Sequence, residues 1–107
     1  MTPADELRAA AEKLRPLAET AQHDLETADY WKPYTSDAWA HGFINGFGGP
    51  SSDYAAVLPP AVGLALADWL DIAAEYAERW PPDAQTNSPF RAGALAVARA
   101  INGGGQP

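Results

Sequence analysis

A chain of 107 residues with fourteen acidic and seven basic side chains, net charge −7, is long enough for one hydrophobic core and too acidic as a whole to track a phosphate backbone. It has no cysteine, which excludes disulfides and cysteine-held zinc. No run of about 18 apolar residues occurs and residues 1–30 are charged and periodic rather than signal-like, so the expectation is a cytoplasmic protein with no membrane contact.

The first helix is announced by Thr2-Pro3-Ala4-Asp5-Glu6: Thr2 suits the cap, Pro3 the first helical position, and the two acids the positive end of the helix dipole. Leu7, Ala11, Leu14, Ala18, Ala21, Leu25 and Ala28 then alternate steps of four and three residues, a heptad seam that keeps its register across Pro16. This predicts one bent helix over about residues 3–29, with two abutting helices as the alternative.

Residues 30–59 are rich in aromatics and glycine and predict an irregular segment. Asn45-Gly46 between Phe43-Ile44 and Phe47 suits a hairpin turn. A Ser36 cap followed by Trp39 and Phe43, four apart, suits a short helix ended by Gly46 or Gly48, and this is the preferred reading although Gly42 weakens it. Gly48-Gly49-Pro50 reads as a turn, and Ser51 or Ser52 as the cap of a brief helical turn through Tyr54 to Leu58.

Residues 60–80 carry the strongest helical pattern, with Val62, Leu66, Trp69, Leu70, Ala73, Tyr76, Ala77 and Trp80 on one stripe and Asp68, Asp71, Glu75 and Glu78 on the other side. Pro60 suits its first turn and Pro81-Pro82 ends it. Ser88-Pro89 starts a last helix over 89–102, with Phe90, Ala94, Val97 and Ile101 as its stripe, Leu95 and Ala98 widening it, and Asn102-Gly103 as a left-handed stop before a frayed tail. Three helices with one apolar stripe each predict a mainly α fold: a single domain over 1–107, built as a small three-helix bundle with the aromatic segment packed across it. Pairing the first seam with the central stripe leaves the flank at Ile72 for the third helix or a second copy of the chain.

Taken together, TPADELRAAAEKLR, PAVGLALADWLDIAAEYAER and ALAVARAINGG resemble a family of short alanine-rich helical proteins of actinobacteria and their phages, uncharacterised as to function. The likeness spans somewhat over half of the chain. It implies a source and a three-helix framework, and no activity, cofactor or catalytic residue.

The chemistry-bearing residues form no strong constellation. His23 has Glu19 four before it and Glu26 three after, which is one histidine and two carboxylates where a metal needs three or four convergent ligands, so no metal and no cofactor are expected. His41 lies near Ser36, Ser51 and Ser52 without a nucleophile-elbow context, and the glycines from Gly42 to Gly49 lack the lysine of a phosphate-binding loop, which together predict no catalytic residue.

Seven aromatics, Tyr30, Trp31, Tyr34, Trp39, Phe43, Phe47 and Tyr54, crowd into 25 residues, and tryptophan and tyrosine dominate protein interfaces. They equally serve to fill the open side of a thin helical layer. Trp31, Tyr34, Trp39, His41, Asn45 and Phe47 are the candidate interaction surface. Residues 36–86 add Asp37, Asp53, Asp68, Asp71, Glu75, Glu78 and Asp83 against Arg79 alone, which permits a basic partner, although a solvated helix face is the commoner cause. The functional expectation is a non-enzymatic protein acting through protein–protein contacts, either with itself as a dimer or with another protein, and not with nucleic acid or membrane. The alternatives are a small ligand-binding protein or enzyme using the Trp39/His41/Asn45 region and, more remotely, an acidic mimic of nucleic acid.

Overall fold

The computed structural model describes residues 1–33, 38–46, 48–79 and 89–103, with the side chains of 43–45 and 89–90 outside that description. The chain is mainly helical: α1 Pro3–Thr27, α2 Ala38–Gly46, α3 Gly49–Ala56, α4 Pro60–Ala77 and α5 Pro89–Ile101, with a 3₁₀ turn at Asp29–Trp31 and no strand among the described residues. Where one domain was expected, the contacts divide the chain into two compact units, residues 1–16 with 65–107, and residues 17–64.

The first unit begins with a reciprocal cap. The Asp5 amide donates to Thr2 Oγ1 and the Thr2 amide donates to Asp5 Oδ2, both at 3.1 Å, which uses two of the amides that a helix start leaves without partners. Hydrogen bonding to the Asp5 carboxyl, from the Thr2 backbone first and then from its side chain, holds it below its ordinary range. The helix then runs without a break through Pro16, whose ring is exposed, so the single-helix reading holds over two abutting helices.

The core of this unit takes Ala4, Leu7, Ala10 and Ala11 from α1, Leu70, Ala73, Ala74 and Ala77 from α4, and Ala94, Leu95 and Ala98 from α5. Each helix gives one leucine and otherwise alanine, so the backbones approach closely around three interlocked leucines. This corrects the expected phase of α4. Its most buried positions include Ala67, Leu70 and Ala74, each at 0% exposure, whereas Val62 and Tyr76, placed on the stripe by their size, are 41% and 59% exposed. Small side chains mark where helices can meet closely, and bulk is displaced to the flanks. Leu66, Trp69, Val97 and Ile101 pack at the edge of the core.

A second correction concerns the acidic side of α4, expected to be solvated charge. Arg15 bridges Asp68 at 2.7 Å and Asp71 at 2.6 Å, and Arg8 pairs with Glu78. Residue numbers rise on α1 as they fall on α4, so the pairs fix an antiparallel register. Arg99 forks onto the two carboxylate oxygens of Glu6 at 2.9 and 3.2 Å, and the Asn102 side chain donates to the Glu6 carbonyl at 3.0 Å, which ties the end of α5 to α1. Hydrogen bonds to these carboxylates push the Arg15 and Arg99 guanidinium pKa values up. Arg15 and Arg99 stay partly exposed to solvent, so these pairs set alignment more than stability.

Helix ends are shorter than expected. α4 stops at Ala77, where Glu78 still bonds back four residues to Ala74 but Arg79 bonds only three back to Tyr76, a tightening that precedes the Trp80-Pro81 step. Trp80 and the Ser88 cap lie outside the described residues, as does the tail from 104. α5 ends at Ile101 with Gly103 at φ 78°, the left-handed stop read from the sequence.

Two outcomes follow from this core. Ala74→Leu is expected to lower unfolding stability by about 1–3 kcal/mol through overpacking, while Glu75→Ala, on the exposed side of α4, leaves it within about 0.5 kcal/mol; urea unfolding of both variants checks the phase. Because the folded Asp5 pKa is depressed, its contribution is present above the ordinary aspartate value near 3.8 and is lost as pH falls through the lower folded value. The difference in thermal midpoint between wild type and Asp5→Ala is therefore expected to be largest at neutral pH and to close in acid.

Candidate functional site

The second unit contains the aromatic segment, whose described residues are largely helical. α1 closes with Thr27 Oγ1 donating to the His23 carbonyl at 2.7 Å and the Ala28 amide to the Asp24 carbonyl at 2.8 Å, and the 3₁₀ turn then delivers Tyr30 and Trp31. The Trp31 indole donates to Asp24 Oδ2 at 2.9 Å. Its ring stacks on Trp39 of α2 at 5.4 Å and 13°, and meets Tyr30 edge-on at 5.0 Å and 87°. The Tyr30 hydroxyl donates to the Gly42 carbonyl, and Trp39 Nε1 donates to the Ala55 carbonyl of α3 at 2.8 Å. α2 is thus held on one side by aromatic rings and on the other by α3.

Gly42, which weakened the helix reading, is what makes this packing possible. A Cβ at Gly42 would run into the six-membered ring of Trp31, and one at Gly46 into the Tyr30 hydroxyl. Residues 38–46 are helix, not hairpin, and α2 ends at Gly46. The expected Gly48-Gly49-Pro50 turn is instead a tight joint followed at once by α3: Gly48 and Gly49 take φ 77° and 82°, conformations open to glycine, and Pro50 lies in the first turn. Ser51 and Ser52 therefore sit inside α3 rather than capping it, with Ser52 buried, and α3 ends at Ala56, short of Leu58.

Of the predicted interaction residues, Trp31 is 9% exposed and Trp39 is half-buried, and the two are brought face to face. His41 is exposed on α2. Asn45 is on α2 with its side chain outside the described residues, and Tyr34 and Phe47 lie wholly outside them, as do Ser36 and the Phe43 side chain. His23 and Glu19 are exposed and Glu26 accepts from Gln22 Nε2 at 3.1 Å; among the described residues no three histidine, aspartate or glutamate side chains gather as a metal would need.

A cavity of about 380 Å³ lies where the start of α1 meets the end of α4, lined by Thr2, Asp5, Arg8, Ala77 and Glu78 among others. Within it Thr2 and Asp5 bond to each other and Arg8 pairs with Glu78. No single helix among the described residues is long and apolar enough to cross a membrane.

Large apolar side chains that the sequence reading assigned elsewhere are instead exposed. In the first unit Ile72 and Tyr76 of α4 expose 52% and 59%, and in the second Tyr54, Val57, Leu58 and Val62 expose 70%, 69%, 42% and 41%. The signal for the second group was present in Leu58-Pro59-Pro60, a corner at which neither helix can continue into the other. No protein-family model, no curated protein and no solved structure matches the chain.

The glycine contacts give a paired outcome. Gly42→Ala is expected to cost about 1–3 kcal/mol and to weaken the near-ultraviolet circular dichroism of the stacked tryptophans, while Gly93→Ala on α5, where nothing lies within 4 Å of an added Cβ, should stabilise by about 0.5–1 kcal/mol.

Proposed function

We propose that the protein is non-enzymatic and acts through protein–protein contacts, associating first with a second copy of itself. On this reading α1, α4 and α5 serve as a small three-helix bundle, as in the actinobacterial and phage family the helices resemble, and the outer face of α4 is the self-association surface. The observation that carries it is the exposure of Ile72 and Tyr76, four residues apart on one helix, with Ala65 exposed on the same side and Trp69 half-buried between them. The spacing from Ala65 through Trp69 and Ile72 to Tyr76 is four, three and four, a second seam suited to a facing helix.

A two-fold axis near Ile72 sets Tyr76 of one copy against Asp68 of the other, an apolar centre with a hydroxyl-to-carboxylate contact at each end. The acids of the first unit are nearly matched by bases, eight against six, so two copies meet without strong repulsion. Ile72 and Tyr76 are already about half buried, so each gains only a part of the roughly 1.5–3 kcal/mol of full burial, which makes the interface a weak rather than a tight one.

Sedimentation velocity at roughly tens of micromolar protein is expected to give a dimer, and Ile72→Glu a monomer with unchanged helical circular dichroism. A wild-type monomer under those conditions overturns the reading.

A further inference from the structure

The two units differ in electrical character. Residues 17–64 hold six acids, Glu19, Asp24, Glu26, Asp29, Asp37 and Asp53, against one base, Lys32, and Lys32 is ion-paired to Asp29 at 2.6 Å. This unit therefore carries a net charge of −5 of the chain's −7. On it stands the exposed apolar corner formed by Tyr54, Val57, Leu58 and Val62, four large side chains within nine residues. The backbone that presents them is hydrogen-bonded: the Val57 amide donates to the Tyr54 carbonyl at 3.3 Å, Leu58 to Ala55 at 3.0 Å and Val62 to Pro59 at 2.9 Å. Ala55 also receives the Trp39 indole, so the aromatic packing of α2 holds the corner in place. Asp53 is exposed one turn before Val57 on α3, and no lysine or arginine occurs between Lys32 and Arg79.

We propose that this corner docks a basic amphipathic segment of another protein, with its apolar side chains against Tyr54, Val57, Leu58 and Val62 and its lysines or arginines toward Asp53 and the net-negative unit that carries the corner. The apolar side chains supply a surface that a purely charged partner would not use, and the uncompensated acids select the sign of the partner's rim. A second copy docked here would bring two units of like charge together, whereas the nearly balanced first unit has no such penalty. Anionic lipid headgroups and nucleic-acid phosphates are repelled by the same charge. The proposal does not depend on self-association through Ile72, which lies in the other unit.

The test uses the full chain and a fluorescent synthetic amphipathic peptide of alternating leucine and lysine helix faces, about 18 residues long so that it can fold on the surface, beside a leucine and glutamate peptide of the same pattern. The lysine peptide is expected to bind, to weaken as salt rises, and to shift backbone amide resonances concentrated at residues 53–62. The double variant Val57→Ser/Leu58→Ser should lose about tenfold or more in affinity while keeping its helical circular dichroism, and Ile72→Glu should bind as wild type does. The proposal is overturned by equal binding of the glutamate peptide, by unchanged affinity of the double variant, or by resonance shifts spread over acids remote from the corner. It is likewise overturned if the double variant instead abolishes a wild-type dimer, which assigns the corner to a second copy, or abolishes binding to phosphatidylserine-containing vesicles, which assigns it to lipid.

Discussion

The first unit depends on the close approach of three helices along lines of alanine. Among the described residues Leu7, Leu70 and Leu95 are the large side chains fully enclosed there, and the rest of the enclosed core is alanine. Alanine has almost no side-chain entropy to lose and permits short interhelical distances, so such a core is tight but small. A small core leaves the bulky residues of α4 without a place inside. Tyr76, Ile72 and Val62 are therefore outside because of the same packing rule that places Ala67 and Ala74 inside, and the exposed apolar face is a product of the fold rather than an addition to it.

The second unit solves the same problem with the opposite means. Its helices α2 and α3 have nine and eight residues, too short to be stable in isolation. Two indole N–H groups do the joining instead, one to the Asp24 carboxylate at the end of α1 and one to the Ala55 carbonyl at the end of α3. The Ala55 carbonyl accepts this indole as well as the Leu58 amide, so one acceptor serves both the helix end and the aromatic packing. The two rings stack on each other, and Gly42 provides the space for them. Aromatic area replaces helix length, which is how so short a segment forms an ordered unit.

What the sequence made legible was set by the physics of each element. The helix starts at Pro3 and Pro89, the passage through Pro16, the stop at Gly103 and the helix over 38–46 all rest on local rules of backbone geometry and capping, and these are carried by the residues themselves. The phase of α4 was misread because hydrophobic periodicity weights a tyrosine above an alanine, while close helix contacts prefer the alanine. The bridges from Arg8 and Arg15 to Glu78, Asp68 and Asp71 were missed although both sets repeat at heptad spacing, since a charge pattern becomes a pairing only once the facing helix and its direction are known. For the candidate site, the aromatic crowding marks a segment in which, among the described residues, Trp31 and Trp39 stack on each other while His41, Tyr54, Val57, Leu58 and Val62 are exposed.

The division of charge is the step that connects this architecture to contact with other molecules. Apolar exposure alone does not choose a partner, because a second copy, another protein and a membrane all offer apolar area. Charge distinguishes among them. In the first unit Arg8, Arg15 and Arg99 neutralise acids across helix pairs, and acids and bases are nearly balanced, which suits the face at Ile72 and Tyr76 to the proposed contact with a second copy. In the second unit Asp24 is taken by Trp31 and Asp29 by Lys32, yet the carboxylates keep their charge with a single base to offset six, so its uncovered corner is matched by a basic surface and opposed by an acidic one. Two apolar faces on one small chain are thereby given different preferences without any difference in the kind of apolar side chain that forms them.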